Sequence, residues 1–148
     1  MEKKTSYLKL YGKNLEDLRI ISAHLQDSIV KIKELIFLKK NQTFLIMVKR
    51  FMWEDIEKGL FRNPKRINSV IKFNNVLRVI SKNINQLNKN RILELLTIET
   101  KFLNNSNYEI SLIFSGDSTI TIITEDIDII LDDQGIPWEA KSFPKHKI

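Results

Sequence analysis

Apolar and polar residues alternate along much of this chain with the period of two that marks a strand lying half in a core. The clearest instance is Ile110, Leu112 and Phe114 before Ser115-Gly116-Asp117-Ser118, with Ile120 and Ile122 after it. Alternation on both sides of a Gly/Asp turn predicts a hairpin. The spacing then shifts at Ile127, Ile130 and Leu131 and predicts a short acidic helix that caps the hairpin. Gly135-Ile136-Pro137 ends regular structure ahead of Trp138.

Taken from the start, Tyr7 to Tyr11 reads as a strand ended by Gly12. Asn14 as N-cap, Glu16 and Asp17 in the first turn and apolar positions at Leu18, Ile21 and Leu25 predict a helix, its buried face widened by Ile20 and Ala23. Ser28 to Leu38 is β-branched and predicts a strand bent near Lys33-Glu34. A polar turn over 39–42 leads to Thr43–Phe51, a strand apolar enough to be covered on both faces. Periodicity lapses over 52–65, a loop with one helical turn. Ile67 to Ile84 is β-rich with a bulge or break at Asn74-Asn75; Ile92 to Phe102 is a further strand. The expected fold is α+β. About seven mostly antiparallel strands form a curved sheet or small barrel, with one helix in the N-terminal half and one capping helix near the C-terminus. That element order resembles a pleckstrin-homology-like fold.

Length and composition suit one domain over 1–148, with an ordered core over about 6–139 and a mobile tail over 140–148 that carries His146. The chain has no cysteine, which excludes disulfides, thiolate metal sites and cysteine nucleophiles. No apolar run approaches the ~20 residues of a membrane span, and the first residues lack a signal peptide's apolar core, so a cytoplasmic location is expected. Net charge is +6, unevenly spread: residues 1–91 carry 20 Lys/Arg against 8 Asp/Glu, residues 92–148 carry 4 against 10. Such a split fits a surface for a polyanion, or two faces that attract each other. The abundance of Ile, Lys and Asn with only two alanines also fits an AT-rich coding bias.

At Ile21-Ser22-Ala23-His24-Leu25-Gln26-Asp27 the chain resembles a bacterial family of unknown function, domain family 2948. The likeness continues through Phe51-Met52-Trp53-Glu54, Val76-Leu77-Arg78-Val79, Leu93 to Ile98, Phe114-Ser115-Gly116 and Gly135-Ile136-Pro137-Trp138-Glu139. The resemblance implies a single-domain cytoplasmic protein of alphaproteobacterial type and brings no catalytic residues. Where the family usually has a run of glycines, this chain has Gly116-Asp117-Ser118.

Three constellations bear on chemistry. His24 and Asp27 stand at i, i+3 and could pair as general base and orienter, or Asp27 could simply cap the turn that follows. With Trp138 they make a candidate pocket. Lys49, Arg50, Trp53, Lys58, Arg62, Lys65 and Arg66 interleave cations with an aromatic, a pattern that contacts acidic partners or phosphate backbones and also occurs on solvated loops. Glu125, Asp126, Asp128, Asp132 and Asp133 crowd the expected C-terminal helix; Asp126 and Asp128 have a D-x-D spacing, but a solvated acidic face explains it. No phosphate loop, dinucleotide fingerprint, zinc-protease motif or nucleophile elbow is present, and no cofactor or metal is expected. The expectation is a small interaction module without catalytic activity, binding a protein partner. The alternatives are nonspecific RNA, DNA or other polyanion binding through residues 49–66, and a small-molecule enzyme using His24 and Asp27. Self-association through the oppositely charged halves is also allowed.

Overall fold

A computed structural model of the chain describes residues 7–54 and 64–140. Within them run β1 (Lys9–Gly12), α1 (Leu15–Leu25), β2 (Ser28–Lys31), β3 (Leu35–Leu38), β4 (Thr43–Phe51) and β5 (Lys65–Phe73). β6 (Val76–Lys82), β7 (Ile92–Phe102), β8 (Tyr108–Phe114), β9 (Ser118–Thr124) and β10 (Ile129–Glu139) follow. The strands pair antiparallel in one open sheet of order β1-β10-β5-β4-β2-β7-β8-β9-β6, with β3 also beside β4. A 3-10 turn at Ile32–Glu34 separates β2 from β3, at the bend expected near Lys33-Glu34.

Register explains the core. Across β4, β5 and β10 the inward rows are Phe44–Phe73–Ile129, Ile46–Ile71–Leu131 and Val48–Ser69–Asp133. On the other half of the sheet, Ile98–Leu112–Ile120 and Ile110–Ile122 form equivalent rows. Aliphatic and aromatic members of both halves belong to one buried cluster with Leu18, Ile21 and Leu25 of α1, so the sheet bends until its two halves share a core. Each such side chain contributes about 1.5–3 kcal/mol when fully buried. The helix starts as expected: Asn14 Oδ1 accepts from Asp17 N at 2.8 Å, and the Asp17 carboxylate accepts from Lys13 N at 2.9 Å. Its buried face is narrower than the spacing implied, since Ile20 and Ala23 are exposed. It ends where Asp27 takes a left-handed φ of 65°.

The expectation of about seven strands, a possible barrel and a second, C-terminal helix is overturned. Ser28–Leu38 and Ile67–Ile84 each hold two strands, the second pair divided at Asn74-Asn75. The supposed capping helix is β10: Ile127, Ile129 and Leu131 are buried while Ile130 is only half-buried, a period of two. The acidic run imitated a helix because Asp133, the next inward position, is a charge rather than an aliphatic. Gly135, with φ of 78°, forms a bulge, and the strand resumes at Trp138 opposite Arg66. Among the described residues β1 and β6 are the free ends of the strand order, and the sheet is not closed. With a single complete α-helix among the described residues, the element order is not pleckstrin-homology-like either. β4 has the expected bounds, but its burial alternates, so only one face is fully covered. The expected tail beyond Ala140 lies outside the described residues.

Gly12 is where α1 meets β1, and a Cβ there would stand 2.9 Å from Ile21 Cδ1. Because Ile21 is fully buried, its methyl has little room to yield. Gly12→Ala is expected to cost about 1–3 kcal/mol in urea unfolding. Combined with Ile21→Val, which deletes that methyl, the loss should be smaller than the sum of the two single changes.

Candidate functional site

Arg50 continues the inward series of β4 after Phe44, Ile46 and Val48, and its side chain is 0% exposed. A guanidinium is tolerated there only if every N–H is answered. Nε donates to Asp133 Oδ1 at 2.8 Å and Nη2 to Asp133 Oδ2 at 2.7 Å, a bidentate pair. Nη1 and Nη2 donate to Glu54 Oε1 and Oε2 at 2.9 and 2.6 Å, and Nη1 also to the Phe51 carbonyl at 3.3 Å. These five bonds match the five donors of the group. The Asp133 carboxylate also accepts from the Ser69 hydroxyl and from Leu8 N at 2.9 Å. One carboxylate thus ties the segment leading into β1, β4, β5 and β10 together.

Burial by itself would push both carboxyls up and the guanidinium down. Direct hydrogen bonding outweighs it, holding Asp133 and Glu54 below their ordinary values and Arg50 above its own. His24 Nδ1 lies 4.0 Å from Glu54 Oε1, on the outer side of the same network. Trp53 packs on Phe51 with ring centroids 4.6 Å apart and donates its indole N–H to the Gln26 carbonyl at 2.9 Å.

The structure therefore brings most of the sequence-predicted residues to one end of the sheet. Asp27 is buried, its N–H donated to the Leu95 carbonyl. Arg66 donates to the carbonyls of Asp27 and Lys49, each at 3.0 Å, and stacks over Phe51. Burial lowers the Arg66 pKa, against the pull of Asp27 and Glu94. Trp138 is the strand partner of Arg66, and Glu139 that of Lys65. Lys49, Lys65 and Trp138 are half-buried; Lys58 and Arg62 lie outside the described residues. Asp126 accepts from Asn75 Nδ2 at 2.7 Å, and Asp128 accepts from Lys13 Nζ at 2.6 Å, which raises the lysine's pKa. Among the described residues no group of three His, Asp or Glu side chains could hold a metal ion, and no helix is long and apolar enough to cross a membrane.

Sequence reasoning missed Glu54 and Asp133 as partners of Arg50, and Ser69 as a donor to Asp133. Two signals were present: Glu54 stands four residues beyond Arg50, and Asp133 two beyond Leu131 in the inward series. It also missed two cavities. One, of about 590 Å³, opens between α1 and β7–β8 beside Arg19, Glu99, Lys101 and Glu109. The other, of about 320 Å³, lies between β3 and β6. Neither is lined by His24, Asp27 or Trp138.

Asp133→Asn leaves a buried guanidinium short of one counter-charge and is expected to cost about 3–5 kcal/mol in denaturant unfolding. Acid should act on the same contacts. Because the folded-state values of Asp133 and Glu54 are lowered, their contribution is complete above the unfolded carboxylate range. It is lost as pH falls below about 4. The melting temperature should drop steeply there in the natural chain and less steeply in Asp133→Asn, as followed by circular dichroism.

Residues 8–146 match the family described as Protein of unknown function (DUF2948). No curated protein and no solved structure matches the chain. With nearly the whole length covered, the chain belongs to the DUF2948 family.

Proposed function

We propose that this chain is a single-domain cytoplasmic binding module without catalytic activity, whose partner is a protein that packs on the outward face of β3, β4, β5, β10 and β1. The supporting observation is what those strands turn away from the core. One outward row runs Tyr11–Ile130–Lys72–Leu45–Ile36, and the next runs Lys9–Asp132–Val70–Met47, charged at its β1–β10 end and apolar at its β5–β4 end. Tyr11, Ile36 and Leu38 are 55%, 48% and 42% exposed. The outward positions of β8 and β9 are more polar: Glu109, Ser111, Thr119 and Thr121 surround half-buried Ile113 and Ile123. An aliphatic band on one half of a sheet, against a hydroxyl-rich surface on the other, is the pattern of an interaction face. Lys72 stands exposed in the middle of the band and forms no ion pair among the described residues, so the partner should bring a carboxylate to it.

Polyanion binding through residues 49–66 has less support, because Arg50 is buried and Arg66 is engaged by two carbonyls. A catalytic His24 has less support too, since its neighbour Glu54 is committed to Arg50.

A photo-crosslinking amino acid placed at Leu45 in producing cells should give one stoichiometric protein adduct, and the same group at Thr121 none. Adding Lys72→Glu should reduce the adduct, and Met47→Asp should abolish it while leaving the fold intact by circular dichroism. Equal labelling from both faces, no adduct, or a crosslink only to a second copy of the chain would contradict the proposal.

A further inference from the structure

β3 and β6 face each other across the gap that the open sheet leaves. Among the described residues β3 pairs only with β4, and β6 only with β9. The gap is stitched at both ends by backbone: Val76 N donates to the Gln42 carbonyl at 2.8 Å, and Lys33 N to the Lys89 carbonyl at 3.0 Å. Between the stitches lies the cavity of about 320 Å³. Leu35, Phe37, Val79 and Ile84 line it as hydrophobic side chains that pack on the core but are only partly covered. Lys33 and Lys89 stand at its edge, and no Asp or Glu is among its described lining residues. The flanking segments 31–40 and 78–91 carry eight Lys/Arg against one acid, Glu34.

We infer that this gap binds a small aliphatic carboxylate, with the hydrocarbon body against Leu35, Phe37, Val79 and Ile84 and the carboxylate between Lys33 and Lys89. Uncovered apolar walls call for an apolar body, and two lining cations with no acid among the described lining residues call for an anionic head. The volume is at the small end of ligand pockets, which run to about 300–1,000 Å³. An added peptide strand fits less well. It needs the two edges about 10 Å apart, one strand spacing on each side, whereas single hydrogen bonds hold both ends of the gap together. The site is separate from the outward face proposed above and does not depend on it.

Decanoate and decanol, titrated into the full chain and followed by methyl NMR, test this. Decanoate should bind one-to-one and shift the Val79 and Ile84 methyls, with decanol about tenfold weaker. Lys33→Ala with Lys89→Ala should weaken decanoate about tenfold and leave decanol unchanged. Ser81→Trp, at an exposed position on the cavity wall, should block both while keeping the melting temperature. Absence of methyl shifts with decanoate, equal affinity for the two probes, or no effect of the lysine changes would overturn the inference. So would a short alternating Val/Glu peptide that displaces decanoate.

Discussion

The guanidinium of Arg50 continues an inward series whose earlier members on its own strand, Phe44, Ile46 and Val48, are aromatic or aliphatic, and much of the fold is arranged to make that tolerable. Stripping water from a cation costs several kcal/mol unless geometry restores the lost interactions. Here two carboxylates and a carbonyl restore them, and the groups come from β4, from the residues just after it, and from β10. Asp133 then reaches Ser69 on β5 and Leu8 ahead of β1. A register slip of β10 by one residue would turn Ile129, Leu131 and Asp133 outward together and break the bonds that Asp133 makes with Arg50 and Ser69. The ion network therefore specifies how the last strand docks, in addition to whatever it contributes to stability.

The same contacts account for the uneven charge along the chain. The acidic C-terminal strand is inserted between β1 and β5, both from the basic N-terminal part. Lys9 stands opposite Asp132, Lys65 opposite Glu139, and Lys13 reaches Asp128. Of the two explanations that charge split allowed, mutual attraction inside one chain describes these strands. Further cations gather in segments 31–40 and 78–91, which carry eight Lys/Arg against one acid.

Much of the strand pattern was legible because it is local. β4 follows from its apolar run, β7 and the β8–β9 hairpin from strand-like composition, alternation and turn residues, and the start of α1 from Asn14 and the acids after it. β10 was hidden because a buried carboxylate breaks the aliphatic alternation that identifies a strand. Arg50 was hidden for the converse reason: a cation at the end of a strand reads as a surface residue until its partners, 4 and 83 positions away, are known. The gathering of His24, Asp27, Trp53, Arg66 and Trp138 at one end of the sheet depends on strand order, as does the gap between β3 and β6. Neither is encoded in any single stretch.

Both proposed surfaces arise from the way this sheet is finished, one from its uncovered outer face and one from its failure to close. The outer face, which β10 helps to build, presupposes that this strand is locked in its register by Arg50. Native-state hydrogen exchange on Arg50→Lys tests that lock most directly, since lysine keeps the charge but loses the planar fork. The account predicts that amides of Leu10, Leu131 and Asp133 lose protection by far more than those of Leu112 and Ile122 in the β8–β9 hairpin. Equal loss in both regions, or protection of β10 unchanged, would contradict it.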